Sequence, residues 1–315
     1  MLRYALGRLL EMVPVLLGTA LLVFSMIHLV PGDPALLIAG LEASPQTIAR
    51  AREQFGLDRP LPAQFWRFLA GAMTGDLGMS FRTGSPVVGE IVDRFGHTFI
   101  IALGATLLAT VTGMLAGTVA AVRRNRLADG LVMVMALLAV STPSYWLALM
   151  LMLCFSLWWG LLPSIGVATP WHYVLPIVTL GAQSAGIIAR MTRSAMLDVL
   201  AQEYVATARA KGVAEGVVII RHALRNALVP VLSVVGLRFG GLLAGTVLVE
   251  SVFAIPGLGR LIVDAVLLRD YPMVQGAVLV VATLFIVINA AHRHPVHGRR
   301  SPGAAGVRAC VRGAS

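Results

Sequence analysis

Apolar residues are gathered into six long segments, and this pattern is the strongest feature of the chain. A helix that crosses a membrane needs about 20 mostly apolar residues. Six segments approach or exceed that length, and the third is long enough to tilt or to break at Pro143: residues 9–30, 98–122, 131–159, 173–195, 229–249 and 273–290. The pattern predicts an all-α integral membrane protein with six transmembrane helices.

The composition agrees with this prediction and excludes two other classes of protein. Hydrophobic residues make up 57% of the chain, charged residues 13%, and the mean hydropathy is +0.83. Soluble proteins have roughly 45–50% apolar and about 25% charged residues, and disordered chains are less hydrophobic still. The first apolar segment follows basic Arg3 and Arg8 as a signal peptide would, but its length and the lack of a small-residue cleavage site favour a retained helix.

The net charge of +10 is explained by membrane orientation rather than by a nucleic-acid partner. Basic residues collect on the cytoplasmic side of membrane proteins, most reliably in short loops. With the N-terminus inside, sixteen basic residues fall on the cytoplasmic side and eight on the other. The sequence therefore predicts that both termini lie inside and that residues 31–96 lie outside.

The external segment of residues 31–96 is patterned as a small folded cap of helices. Ser44 and Pro45 are typical of a helix start, and Gly56 is typical of a helix end. Residues 62–73 form a second amphipathic pattern, and Ser85-Pro86 predicts a third helix that runs towards Phe95. A disordered external loop is the alternative interpretation.

The stretch of residues 196–228 is too polar to span a membrane and too apolar for a flexible loop. It predicts two short helices, residues 197–210 and 217–228, separated by Gly212. In the first, Glu203, Ala206 and Ala210 are spaced by three and four residues and share one face. Small side chains on a cytoplasmic helix indicate a docking element for another protein.

No motif for enzymatic chemistry is present, so we expect a chain that is not an enzyme. A phosphate-binding G-x-x-x-x-G-K-[ST] loop is excluded, because the only lysine is Lys211 and Gly212 follows it. There is no H-E-x-x-H motif and no pair of cysteines at metal-binding spacing. The sequence predicts no catalytic residue, no metal site and no cofactor bound by this chain.

Candidate pathway residues lie in the predicted spans among small residues. Gly181 and Gly186 bracket Gln183 and Ser184, and Gly241 follows Arg238. Arginine at membrane depth is costly and has to face a cavity or a partner. Gln183, Ser184, Arg238 and Gly241 are therefore candidates for a translocation pathway. The alternatives are static helix packing for the small residues and a structural partner for Arg238.

Several segments resemble one family of transport proteins. Glu203-Tyr-Val-Ala-Thr-Ala-Arg-Ala-Lys-Gly212, followed by Arg221-His-Ala-Leu-Arg-Asn-Ala-Leu-Val-Pro230, resembles the EAA loop of ABC importer permeases. The dipeptide, oligopeptide and nickel branch is indicated by three further regions: Gly75-Asp-Leu-Gly-Met-Ser-Phe-Arg-Thr-Gly-Ser-Pro86, Ser141-Thr-Pro-Ser-Tyr-Trp146, and Glu250-Ser-Val-Phe-Ala-Ile-Pro-Gly-Leu-Gly-Arg260 with Arg269-Asp-Tyr-Pro272. The resemblance covers about residues 1–289.

The resemblance implies a role for the loop helix in energy coupling. In this family the helix seats in a groove of a cytoplasmic ATPase, which binds ATP and magnesium. Here Glu203 would cap or orient the helix, Ala206 and Ala208 would allow close seating, and Gly212 would make the turn. Arg209 and Lys211 would be charge partners at the rim.

The resemblance also implies the remaining partners. They are a second homologous permease, one or two ATPases, an extracytoplasmic solute-binding protein and the lipid of the bacterial inner membrane, with no nucleic acid. Residues 256–272 and the cap would face the binding protein, in particular Asp76, Arg82, Pro256 and Gly257. The solute would be a peptide, glutathione or a nickel chelate. A secondary carrier or channel working without ATP is the alternative, which the scarcity of acids in the spans disfavours.

Residues 291–315 depart from the family pattern. Where relatives continue the sixth helix, this chain reads Ala291-His-Arg-His-Pro-Val-His-Gly-Arg-Arg300 and remains basic and of low complexity. The transmembrane domain is therefore assigned to residues 1–290. An altered reading frame would explain the tail, and a natural tail of one lineage is the alternative.

Overall fold

The computed structural model describes residues 2–29, 35–36 and 44–292, and this part of the chain is helical. Its only β-type pairing is an isolated bridge between Met79 and Pro86. The prediction of an all-α protein is confirmed. The helices, in chain order, are α1 (Leu2–Leu29), α2 (Pro45–Phe55), α3 (Leu61–Thr74), α4 (Val87–Val122), α5 (Leu127–Ser141), α6 (Ser144–Trp158), α7 (Pro170–Leu200), α8 (Glu203–Ala210), α9 (Glu215–Gly245), α10 (Val247–Val252), α11 (Leu258–Leu267) and α12 (Tyr271–His292).

Four helices, α4, α7, α9 and the described part of α12, are long and apolar enough to cross a membrane. A fifth candidate is the bent pair α5 and α6, and α1 holds a shorter apolar stretch, Glu11–Met26. The six apolar segments thus correspond to four long helices, one bent pair and one shorter stretch. Six crossings and their direction stay predictions.

The predicted third span is broken at Pro143 rather than tilted. Helices α5 and α6 meet at an angle of 103°. Thr142, which precedes the proline, is extended at φ −76° and ψ 124°, as expected where the proline ring excludes the helical conformation. The carbonyl of Thr142 accepts a hydrogen bond of 2.6 Å from the side-chain amide of Gln183 on α7. The backbone carbonyl that the break leaves without its helical hydrogen bond is therefore paired within the protein, as an apolar environment requires.

Helices α4 and α7 pack with their backbones close together through small residues. A β-carbon at Gly113 would lie 2.8 Å from the carbonyl oxygen of Ala185, and one at Gly117 would overlap the carbonyl of Ala189. On the other side of α7, a β-carbon at Gly186 would lie 2.6 Å from the carbonyl oxygen of Ala136 on α5. Gly113, Gly117 and Gly186 thus permit the close approach of these helices.

Two predicted short helices are not separate elements. The helix expected from Ser85-Pro86 towards Phe95 is the first part of α4, which continues unbroken to Val122. Likewise, the helix expected over residues 217–228 is the first part of α9. Neither proline nor glycine interrupts residues 217–229, so nothing ends the helix there.

Of the remaining predicted short helices, one is divided, and the first helix of the cap begins and ends as predicted. The helix expected over residues 197–210 is divided, because α7 ends at Leu200 and α8 begins at Glu203. In the cap, Ser44 accepts a hydrogen bond from the backbone N–H of Thr47, and Gly56 ends α2 in the left-handed conformation. Residues 31–34 and 37–43 of the predicted cap and 293–315 of the predicted tail lie outside the described residues.

Candidate functional site

Helix α8 presents nearly all of its side chains to the outside at the C-terminal end of α4. Among its eight residues only Val205 is buried, and Ala208 is half-buried. Glu203 and Ala206 are exposed, as are Lys211 and Gly212 just beyond the helix. Gln202 holds the N-cap position, so Glu203 is the first helical residue. There its negative charge interacts favourably with the positive end of the helix dipole and stabilises the helix.

Gly212 ends α8 in a conformation that few other residues adopt. Its φ is +77°, and its backbone N–H donates to the carbonyl of Arg209 at 2.9 Å. The N–H of Val213 donates to the carbonyl of Ala208 at 3.2 Å, which completes a Schellman motif. A β-carbon on Gly212 would meet no atom within 4 Å, so the constraint on this position is its backbone conformation alone.

Arg209 stabilises the turn at Gly212 by binding Glu215, at the start of α9. Its Nη2 atom lies 2.6 Å from Oε1 of Glu215, and its Nε lies 3.1 Å from Oε2. The hydrogen bond to Glu215 raises the pKa of Arg209, whose guanidinium is charged at physiological pH, as in all proteins. Lys211, by contrast, has no ion-pair partner within residues 44–292. Of the two cations predicted at the rim, Arg209 is thus paired within the chain, whereas Lys211 is available to a partner protein.

A second ion pair near α8 was not foreseen from the sequence. Arg193 on α7 binds Asp129 on α5 in a bidentate manner, at 2.6 and 2.7 Å. Asp129 also accepts from the backbone N–H of Asn125, whose φ is +62°. This pair fixes the turn between α4 and α5 to α7. The sequence shows Asp129 as an isolated acid at the start of an apolar segment, but it does not show which residue pairs with it, because Arg193 lies 64 residues away.

At the N-terminal end of α4, the chain is organised around the buried carboxylate of Glu250. This side chain is fully buried and accepts from the hydroxyls of Thr98 at 2.7 Å and Thr246 at 2.6 Å, and from the N–H of Arg260 at 3.0 Å. A β-carbon on Gly257 would overlap the carboxylate. Gly257 is therefore buried against Glu250, while Pro256 beside it is half-buried.

A second buried acid, Asp270, joins the loop before α4 to the start of α12. It accepts hydrogen bonds from the hydroxyl of Ser80 and, at 3.1 Å, from the N–H of Phe81. Next to it is a cavity of about 330 Å³ whose lining includes Arg82 and Asp264. Arg82 and Asp76 are exposed. The segments containing Ser80 and Asp270, far apart in sequence, thus lie together at this end.

The four predicted pathway residues fall into two groups. The amide of Gln183 donates to the carbonyl of Thr142, at the break between α5 and α6, and Ser184 is buried beside it on α7. Arg238 and Gly241 lie on the exposed side of α9, and a β-carbon on Gly241 would meet nothing within 4 Å. Within the described residues Arg238 has neither an ion pair nor a hydrogen bond from its side chain, so no structural partner was found there.

Two family models match the chain and together account for most of it. One describes a binding-protein-dependent transport system inner membrane component and matches residues 113–293. The other describes the N-terminal region of such a membrane component and matches residues 1–102.

Individual proteins are similar over nearly the whole length. The glutathione transport system permease protein GsiC of Salmonella paratyphi A is 49% identical over 289 residues, which cover 92% of this chain and 94% of the relative. Its counterpart in Escherichia coli K12 is 47% identical over the same shares. Among solved structures, an inward-facing form of the MetNI methionine ABC transporter aligns with a TM-score of 0.53 and 19% identity, over 66% of this chain and 95% of that chain. At this identity the likeness shows the fold alone.

The Glu250 cluster predicts a large loss of stability when its carboxylate is removed. Glu250→Ala leaves the hydroxyls of Thr98 and Thr246 and the N–H of Arg260 without their acceptor. Each buried polar group left unpaired costs roughly 1–3 kcal/mol, so we expect a loss of at least about 2 kcal/mol. The thermal unfolding of the purified protein in detergent measures it. Glu53→Ala, at an exposed position of α2, is the matched control, and equal melting temperatures for both variants would contradict this account.

Proposed function

The chain belongs to the family of binding-protein-dependent transport system inner membrane components, and from this membership we propose that it is the permease subunit of an ATP-driven importer of peptides or related small solutes. It is a multi-pass protein of the bacterial inner membrane. The observation that carries the proposal is helix α8, which is short, exposed and ended by left-handed Gly212. An exposed helix with small side chains is suited to a groove in another protein.

In the proposed mechanism α8 seats in a partner ATPase, which binds ATP and magnesium and performs the hydrolysis. Ala206 lies on the exposed side and permits close approach, while Glu203 and Lys211 supply opposite charges at the two ends of the helix. Arg209 acts differently from a free rim cation, because it already binds Glu215 and stiffens the turn. The chain itself binds no cofactor in this mechanism.

The exposed side of α9 is proposed to face the passage and a second, homologous permease. Leu237 is exposed on this helix together with Arg238 and Gly241. An unpaired arginine within an apolar helix needs water, an anion or a partner chain around it. The relatives from Salmonella paratyphi A and Escherichia coli K12 are named for the transport of glutathione, a peptide that carries carboxylates. We therefore assign to Arg238 the attraction of anionic peptides into the passage.

The opposite end of the chain is proposed to receive the solute-binding protein. The exposed residues Asp76 and Arg82 flank the Asp270 cluster, and Pro256 belongs to the neighbouring Glu250 cluster. Gly257 supports this surface without being exposed on it, because its lack of a side chain lets the backbone pack directly on the carboxylate of Glu250. With α8 on the cytoplasmic side, this end faces outward.

Reversing the charge at the start of α8 tests the coupling role. Glu203→Lys places a positive charge at the positive end of the helix dipole and on the docking face, so we expect the ATPase to bind at least tenfold more weakly. Uptake of a labelled peptide into membrane vesicles should fall to background, while the amount of inserted protein stays unchanged. Glu53→Lys, on α2 in the predicted cap, is the matched control. Normal uptake by Glu203→Lys, or uptake insensitive to vanadate, would favour a carrier working without ATP.

Replacing the arginine of α9 tests the proposed pathway. Arg238→Gln removes the charge and keeps a polar side chain, so we expect about tenfold slower uptake of glutathione-like anionic peptides. Uptake of the same peptides with amidated carboxyl groups should change less than twofold. Arg238→Lys, which retains the charge, should keep most of the anionic uptake. Equal losses for the anionic and amidated peptides would remove Arg238 from solute selection.

A further inference from the structure

We infer that Tyr204 and Asn226 are the positioning residues through which a movement of α8 reaches α9. The inference rests on the proposed function, in which α8 docks on the ATPase. The side-chain amide of Asn226 donates to the hydroxyl of Tyr204 at 2.9 Å and to the backbone carbonyl of His222 at 2.8 Å. One side chain of α9 thus binds both the coupling helix and its own backbone.

The two links between α8 and α9 differ in what they can transmit. Arg209, in the last turn of α8, binds Glu215, which is only six residues away across the Gly212 turn. That ion pair holds the turn itself. Tyr204, in the first turn of α8 beside Glu203, binds Asn226, which is 22 residues away and lies a full three turns into α9. Only the second link passes beyond the turn.

The Asn226 link ends at an irregular part of α9. Residues Val218–Leu224 are π-helical, and regular α-helix resumes at Arg225. Short π-helical segments are rare and are often found at functional sites, where the hydrogen-bond register of the helix differs from its surroundings. The carbonyl of His222 that accepts from Asn226 belongs to this segment. A displacement of Tyr204 therefore acts, through Asn226, on the π-helical segment of α9, where the backbone hydrogen bonds differ from those of the regular helix.

Burial distinguishes this link from an ordinary packing contact. Val205 is fully buried and anchors α8, but Tyr204 is 43% exposed and Asn226 is exposed as well. A hydrogen bond at such a position changes a folding equilibrium by only roughly two- to tenfold. Its removal should therefore leave the protein folded and inserted, and its effect should appear in the coupling between hydrolysis and transport. Beyond Arg225, the regular part of α9 carries Arg238.

The experiment measures labelled glutathione imported per ATP hydrolysed by the whole transporter, with its ATPase, second permease and binding protein, in proteoliposomes. Tyr204→Phe removes one hydroxyl, and Asn226→Leu removes the amide at similar volume. We expect each variant to lower the ratio about three- to tenfold, and the double variant to lower it no further, because both remove the same link. Ser233→Ala is the matched control, since its hydroxyl binds only the carbonyl of Val229 within α9.

The outcomes separate the inference from the proposed function. A wild-type ratio in Tyr204→Phe would overturn the inference and leave the proposed function standing. A loss of inserted protein with an unchanged ratio would also overturn it, since a purely structural contact behaves in that way. Independent losses that multiply in the double variant would contradict a shared link. If the unmodified transporter imports no solute with ATP, the proposed function falls and the inference falls with it.

Discussion

The close packing of α4 against α7 is the contact on which the rest of the structure depends. Gly113 and Gly117 let the two backbones meet, and a single added methyl group at either position would have to displace a backbone carbonyl or a neighbouring side chain. The pair also connects the two ends of the molecule. Thr98 near the start of α4 belongs to the Glu250 cluster, and Arg193 near the end of α7 belongs to the ion pair with Asp129. This closely packed pair of helices thus sets the distance between the predicted external face and α8, the predicted coupling helix.

Helix α9 differs from this closely packed pair in its helical geometry and in the exposure of its charged side chain. Its base is π-helical, its exposed side carries Arg238, and Gly241 on that side has open space around it. Three polar side chains elsewhere in the chain, Gln183, Glu250 and Asp270, are by contrast hydrogen-bonded within the protein. Apolar surroundings make an unpaired polar group expensive, so a charged side chain left open marks a surface that another molecule completes.

The sequence predicted those features that depend on neighbouring residues. The apolar segments, the break at Pro143, and the helix ends at Gly56 and Gly212 follow from local hydrophobicity and backbone preference, and the structure contains them. Hydropathy does not show where a helix begins when polar and apolar parts are continuous, so α4 and α9 proved longer than their predicted spans. The partners of Glu250 and Asp129 are up to 152 residues away, and one sequence carries no sign of which residues meet. The coupling, pathway and binding-protein roles of the candidate residues stay predictions.

Cross-linking from α8 shows whether this helix docks on an ATPase. Ala206 is exposed and lies on the predicted docking face, so Ala206→Cys should place a reactive thiol at the contact. In native membranes, with Cys154 and Cys310 replaced, a short photo-cross-linker attached to the new thiol, which bonds to any neighbouring residue on illumination, should join this chain to a P-loop ATPase, and ATP should change the yield. Gly89→Cys, on an exposed position at the other end of α4, should give no such product. Intact ATP-driven uptake without any cross-link from Ala206→Cys, or the same cross-link from Gly89→Cys, would contradict the account.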